Sequence, residues 1–130
     1  MATLVADTHA LVWHLTDPDR LGKAARRALA TVDTGRGLCH VPVIVLVEIC
    51  FLYERGRLRM GPSRVLDALG GHPGYAVLAL DVEQVIEFGA LTSVRDPVDR
   101  LILSAARVTG SRLVSADASL GGHGVERVWN

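Results

Sequence analysis

Near the start of the sequence stands Thr3-Leu-Val-Ala-Asp7-Thr-His-Ala-Leu-Val-Trp-His-Leu15, and this stretch decides the fold class that the rest of the sequence must satisfy. Its first part, Thr3–Ala6, is short and apolar, which is typical of a buried strand. Its second part, Thr8–Leu15, has helical character and stops before Asp17-Pro18. A strand that runs directly into a helix, with one acid at the junction, indicates the first unit of an α/β protein.

The same alternation continues to the end of the chain. Strands are predicted at 38–43, 75–80, 112–115 and 125–129, and helices at 21–32, 44–55, 62–70, 82–91 and 97–108. On helix 82–91 the residues expected to face inward are Val82, Val85, Ile86 and Gly89. Short strands separated by helices predict a three-layer α/β/α sandwich with a mostly parallel central sheet. The 130 residues contain neither a linker nor a repeat, so we expect a single domain over residues 1–130.

Four acidic residues stand in apolar surroundings: Asp7, Glu48, Asp99 and Asp117. Burying an isolated carboxylate costs several kcal/mol or more, so each must be paired, protonated or bound to a metal. Lys23 is the only lysine, and few arginines interrupt these apolar runs. If the four acids converge in the fold, a divalent cation is the natural counter-charge.

The position of two of these acids agrees with a general rule for α/β sheets. Asp7 and Asp117 each follow a predicted strand, and ligands bind beyond the carboxyl ends of such strands. Glu48 lies on a predicted helix whose neighbouring positions are all apolar, so we expect it to be buried. Its structural alternative is an ion pair with Arg55 or Arg100.

Each of the other acids also has a purely structural interpretation. Asp7 is a good helix N-cap, and Asp117 is a good turn former. Asp96 followed by Pro97 is a helix-start signature, and Asp99 then falls in the first turn, where a carboxylate meets the positive end of the helix dipole. The case for a site therefore rests on the combination of acids.

Oxygen ligands favour a hard cation, Mg²⁺ or Mn²⁺, over zinc. None of the five histidines has zinc-site spacing, and we expect all of them to be structural or exposed: His9, His14, His40, His72 and His123. Magnesium held by carboxylates typically acts on phosphate esters.

Four motifs follow one another along the chain: Asp7-Thr-His-Ala-Leu-Val-Trp13, Val45-Leu-Val-Glu-Ile49 with Glu54-Arg-Gly-Arg-Leu58, Arg95-Asp-Pro-Val-Asp-Arg-Leu-Ile102, and Leu113-Val-Ser-Ala-Asp117. In this order they resemble the PIN domain over essentially the whole chain, with the spacing of VapC-like ribonuclease toxins of bacterial toxin–antitoxin pairs. The resemblance implies Mg²⁺-dependent RNA cleavage, with Mn²⁺ as a substitute, a small cognate antitoxin and a homodimer. It makes the acidic catalytic and metal site Asp7, Glu48, Asp99 and Asp117, with Asp96 and Ser115 as accessory residues.

The sequence departs from the family pattern at two positions, Val45 and Val94, where the family often has Ser and His. Neither position supplies a metal-binding acid, so the departures leave the acidic site intact. The alternative function is a catalytically weak PIN fold that only binds RNA or its antitoxin. A receiver domain would need a lysine after its last strand, a haloacid-dehalogenase phosphatase would need Asp-x-Asp, and no phosphate-binding glycine loop is present.

The formal charge is balanced, so electrostatic binding of RNA must depend on local arginines rather than on the charge of the whole protein. The candidates near the acidic motifs are Arg55, Arg57, Arg59, Arg95 and Arg100. Apolar positions on the second and fourth predicted helices offer a surface for self-association. The early Asp7 breaks the first apolar run, and the run that contains Glu48 is too short to span a membrane, so we expect a cytoplasmic protein.

Overall fold

Five strands and six α-helices alternate along residues 2–130, the part of the chain that the computed structural model describes. The strands are β1 (Ala2–Ala6), β2 (Gly37–Pro42), β3 (Tyr75–Leu78), β4 (Arg112–Val114) and β5 (Arg127–Val128). The helices are α1 (Thr8–Thr16), α2 (Lys23–Asp33), α3 (Val43–Glu54), α4 (Pro62–Gly70), α5 (Val82–Ala90) and α6 (Pro97–Thr109). Short 3₁₀ turns at Pro18–Arg20 and Ala118–Leu120 complete the path.

The strands form one sheet in the order β3-β2-β1-β4-β5, and every neighbouring pair is parallel. Side chains of consecutive strand residues point to opposite faces, yet Leu4 and Val5 of the central strand are both fully buried. The same holds for Leu113 and Val114 on β4. Helices therefore cover both faces of the sheet, and the predicted α/β/α class is confirmed.

The topology reverses at the central strand, because β2 follows on one side of β1 and β4 lies on the other. Ala6 is in register with Val114, and the backbone N–H of Asp7 donates to the carbonyl of Val114 at 3.1 Å. Ligand crevices in such sheets form where the strand order reverses, beyond the carboxyl ends of the strands. The acids that follow β1 and β4 emerge at this crevice.

Helix α5 contradicts one detailed prediction. Val82 is 73% exposed and Ile86 is 67% exposed, and Val85 and Gly89 are exposed as well, whereas all four were expected to face inward. The buried residue is Gln84, whose side-chain amide donates to the carbonyl of Ala79 at 2.6 Å. A buried amide is tolerated when it is hydrogen-bonded, so hydrophobicity alone misjudged the orientation of this helix.

The two outer strands are shorter than predicted, since β3 ends at Leu78 and β5 contains only Arg127 and Val128. On β3 the middle residues Ala76 and Val77 are exposed, as is common for an edge strand. Within residues 2–130, we find no helix that combines the length and the apolar character needed to span a bilayer.

Candidate active site

Asp7 lies between β1 and α1, where it caps the helix and also interacts with the charge of Glu48. Its side chain caps α1 by accepting a hydrogen bond from the backbone N–H of Ala10 at 2.9 Å, so the capping interpretation is correct. Burial raises the pKa of this carboxyl, and the negative charge of Glu48 raises the pKa further. The hydroxyl of Ser115, the Ala10 N–H and the nearby His9 act in the opposite direction and favour the charged form.

Ser115 connects Asp7 to the acid that follows β4. It is fully buried, and its hydroxyl oxygen accepts a hydrogen bond from the backbone N–H of Asp117 at 3.1 Å. The carboxylate of Asp117 accepts from both the backbone N–H and the hydroxyl of Ser119, at 3.0 and 2.7 Å. Asp117 is therefore a turn former, as one interpretation predicted, and its charge also acts on the carboxyl of Asp99.

Asp96 and Asp99 lie at the start of α6. Asp96 caps the helix by accepting from the backbone N–H of Asp99 at 3.3 Å, which agrees with the predicted helix start. Partial burial raises the pKa of Asp99 to about 7, together with the charge of Asp96 and a hydrogen bond to it, and with the charges of Asp117 and Glu48. The charges of Glu48 on α3 and of Asp117 in the turn after β4 thus both act on the carboxyl of Asp99 on α6.

Glu48 is less buried than expected. It is half-buried on α3, and this helix exposes apolar residues, including Val47 and Phe51, the latter by 54%. Glu48 lines a cavity of about 190 Å³ whose other lining residues are Ile44, Val47, Phe51, Leu52, Arg55 and Val98. Among residues 2–130, Glu48 has no ion pair, so the structural alternative of an ion pair with Arg55 or Arg100 is wrong.

The structure fits a hard cation in charge and donor type. The four acids come from different elements, their donors are all oxygen, and burial and acidic neighbours raise the pKa values of both Asp7 and Asp99. Over the described residues, however, no group of three or more His, Cys, Asp or Glu side chains is arranged as a ready metal site. Side-chain adjustment around the cation is therefore part of any binding event.

The candidate RNA-binding arginines separate into two kinds. Arg57 and Arg59 are exposed after α3, Arg55 lines the Glu48 cavity, and Arg95 lines a second cavity beside Asp99. Arg100 differs, because its Nε donates to the carbonyl of Phe88 at 2.8 Å and its guanidinium lies 4.2 Å from the centre of the Phe88 ring. Arg100 joins α6 to α5, and we remove it from the RNA-binding set.

Sequence reasoning missed three residues around the site. Ser119 holds Asp117, and the ring of His123 is 3.0 Å from the carbonyl of Ser119. Arg127 on β5 donates to the carbonyl of Ser115 at 2.8 Å. The Asp-x-Ser spacing signalled a turn at Ser119, but the role of His123 and Arg127 depends on contacts across the fold.

Comparison with known proteins agrees with this geometry. The family model described as "PIN domain" matches residues 4–121, which include all four acids. A curated relative, Ribonuclease VapC22 of Mycobacterium tuberculosis, is 29% identical over 125 residues, covering 95% of this chain and 93% of the relative.

Two solved structures are similar to the whole chain. VapBC2 from Rickettsia felis, bound to a DNA fragment from its promoter, has a TM-score of 0.75 at 15% identity and covers 98% of this chain and 99% of that chain. VapC20 from Mycobacterium tuberculosis, described as a sarcin-ricin loop cleaving toxin, has a TM-score of 0.64 at 17% identity and covers 99% and 100%. At these identities the structures establish the fold alone. Together with the family match over 118 consecutive residues (4–121), the fold shows that this chain belongs to the PIN domain family.

Proposed function

We propose that this chain is a Mg²⁺- or Mn²⁺-dependent endoribonuclease and the toxin component of a VapBC-type toxin–antitoxin pair. The observation that carries the proposal is that the charge of Glu48 acts on both Asp7 and Asp99 and the charge of Asp117 acts on Asp99, although the four acids come from four different places in the chain. Such an arrangement is unfavourable unless a cation compensates it. The similarity to Ribonuclease VapC22 supports RNA as the substrate.

In this proposal the four carboxylates hold the cation, and Ser115 and Ser119 orient two of them. A bound divalent cation would activate water and stabilise the charge that develops on the phosphate. The hydrogen bonds of Ser119 keep the Asp117 carboxylate in one orientation before RNA arrives. Arg127 stabilises the turn after β4, because its guanidinium donates to the carbonyl of Ser115.

Cleavage of single-stranded RNA by the purified chain tests the proposal directly. We expect internal cleavage with Mg²⁺ present and none from Glu48→Gln purified in the same way. Equal cleavage by both proteins would assign the activity to a contaminant. Folded wild-type protein that binds RNA without cutting it would instead support the alternative of a catalytically weak binding protein.

Arg57 and Arg59 are proposed to contact phosphates, because both are exposed just beyond the helix that carries Glu48. Replacing either with Ala should weaken RNA binding modestly and lower the slope of log affinity against log salt by about one unit or less. Binding titrations at several salt concentrations measure this slope. Arg36→Ala is a matched control, since Arg36 directly precedes β2 and lies at the opposite edge of the sheet from the acids. An unchanged slope in both variants would show that these arginines only face solvent.

The proposed protein partner is a small antitoxin, as suggested by the VapBC complexes among the similar structures. We expect the chain produced alone to slow bacterial growth and a small co-encoded protein to restore it. The growth rate with wild-type chain, with Asp7→Asn, and with both genes measures this effect. Normal growth with active, folded enzyme in the cell would favour a processing nuclease over a toxin.

A homodimer is also proposed, but only part of the expected surface is available for it. Leu66 on α4 is exposed, whereas the apolar residues of α2 are buried in the core: Ala25, Ala28, Leu29 and Val32. Exposed apolar side chains cluster instead on and before α5: Leu80, Val82, Val85 and Ile86. Exposed apolar residues that recur along one helix are typical of protein–protein contacts, so α5 is the better candidate surface for self-association.

A further inference from the structure

A second cavity opens on the other side of the first turn of α6. It has a volume of about 410 Å³ and is lined by Ser93, Val94, Arg95, Asp96, Asp99, Ser119, Leu120 and His123. Val98 lines the Glu48 cavity and the next residue, Asp99, lines this one, so the two cavities flank the same helical turn. A chain-like substrate that crosses the acids would therefore meet one cavity on each side.

The backbone of its loop and two hydrogen bonds hold His123 at this cavity. Glycines on both sides have positive φ angles, 83° at Gly122 and 75° at Gly124, which only glycine adopts readily, and they turn the loop back on itself. The guanidinium of Arg107 donates to the carbonyl of His123 at 2.8 Å. The ring Nε2 faces the carbonyl of Ser119 at 3.0 Å, and since a carbonyl only accepts, Nε2 is the donor.

The chemistry of the lining suits a nucleoside better than a phosphate. The carboxylates of Asp96 and Asp99 repel a phosphate but accept hydrogen bonds from ribose hydroxyls or base N–H groups. Val94 and Leu120 provide apolar surface, and an imidazole ring is a known stacking partner for unpaired RNA bases. Arg95, which is exposed at the rim, supplies the positive charge for the adjoining phosphate.

We propose that this cavity binds the nucleotide next to the cleaved bond, with the ring of His123 stacked on its base and Arg95 on its phosphate. The inference rests on the proposed ribonuclease activity and extends it, because it assigns base preference at one position to His123. The volume falls in the range of small-ligand pockets, which is about 300 to 1,000 Å³. His123 belongs to none of the motifs through which the family was identified.

The test compares His123→Ala, His123→Phe and Arg95→Ala with wild type on RNA oligonucleotides that vary one nucleotide at a time around the cut. We expect His123→Ala to lower kcat/KM by about tenfold, as for the loss of one base-stacking contact, and to flatten base preference at one adjacent position only. His123→Phe loses the hydrogen bond to the carbonyl of Ser119 but keeps a stacking surface, so it should retain more activity and more of the base preference than His123→Ala. Arg95→Ala should weaken binding of a labelled RNA oligonucleotide measured in EDTA, where no cleavage occurs.

His72→Ala is the matched control, since His72 is an exposed histidine before β3, at the opposite edge of the sheet. It should leave activity, base preference and RNA binding unchanged. If wild type cleaves RNA but His123→Ala keeps the full base preference, or loses it equally at all positions, the inference is overturned while the ribonuclease function stands. If wild type does not cleave RNA, the proposed function fails first, and unchanged RNA binding in EDTA by both His123→Ala and Arg95→Ala would overturn the inference independently.

Discussion

Replacing Asp99 with Asn should raise the stability of the metal-free protein and lower its activity by roughly a hundredfold or more. The gain in stability is expected because two negative charges about 4 Å apart repel by about 1 to 4 kcal/mol, depending on the effective dielectric, and Asn removes one charge at nearly constant shape. The loss in activity is expected because each 1.4 kcal/mol of lost metal-borne transition-state stabilisation costs a factor of ten. Melting curves with Mg²⁺ and with EDTA, together with RNA cleavage rates, measure both effects.

The stability difference between Asp99→Asn and the wild type should change with pH in a definite direction. The folded protein raises the pKa of Asp99 to about 7, so the folded state binds this proton more tightly than the unfolded chain does. In EDTA the contribution of Asp99 to stability is therefore largest below pH about 4 and is lost as pH rises to about 7. The difference in Tm between Asp99→Asn and wild type should widen over this interval.

Glu83→Gln is a matched control for Asp99→Asn. Glu83 also lies in the first turn of a helix, α5, but it does not contribute to the pKa of Asp99. Its replacement should change Tm only slightly and equally with and without Mg²⁺. If Asp99 merely interacts with the dipole of α6, Asp99→Asn would behave in the same way, with a loss of up to about 1 kcal/mol and full activity.

Removal of divalent metal should abolish RNA cleavage, and Mg²⁺ or Mn²⁺ should restore it. The expected ligands are all carboxylate oxygens, and a site of this kind loses its counter-charge entirely in EDTA. The melting temperature of the wild type should also rise with Mg²⁺, since a ligand that binds only the folded state stabilises it. Asp99→Asn and Glu48→Gln should gain less, because each removes one carboxylate from the repelling group.

A melting curve in EDTA is the essential control for this experiment. A cooperative transition at a temperature above that of the assay shows that the chelator has removed the metal without unfolding the chain. Undiminished cleavage in excess EDTA, lost in Glu48→Gln, would show that the acids act without a metal. In that case Mg²⁺ should not raise the melting temperature of the wild type.

The αβ alternation and the positions of Asp7 and Asp117 were predictable, because both depend on neighbours in sequence. A strand followed by an acid places that acid at the carboxyl edge of a parallel sheet wherever the strand lies in the order. Asp96 as a cap followed the same local logic, and the structure has the expected hydrogen bond. The family resemblance was predictable for the same reason, since the order and spacing of its motifs are properties of the chain alone.

The environment of Glu48 was not predictable from its neighbours. Its apolar surroundings indicated burial, with an arginine partner only as the alternative to a metal or active-site role, but whether a helix face is covered depends on which other elements pack on it. Only the structure shows that α3 leaves Val47 and Phe51 exposed and Glu48 in an open cavity. The orientation of α5 was wrong for the same reason, because a hydrogen-bonded Gln84 faces inward in place of the apolar side chains.

By itself, the sequence determined the fold class, the four acids and the family, since local propensity, apolar periodicity and motif spacing are carried by consecutive residues. The tertiary structure decided which groups contact the residues of the site. Ser119 donates to the carboxylate of Asp117, Arg127 donates to the carbonyl of Ser115, and Arg100 donates to the carbonyl of Phe88. It also placed His123 beside the second cavity. Direction and contact between distant side chains arise from packing and from the closing of loops, and no local pattern specifies them.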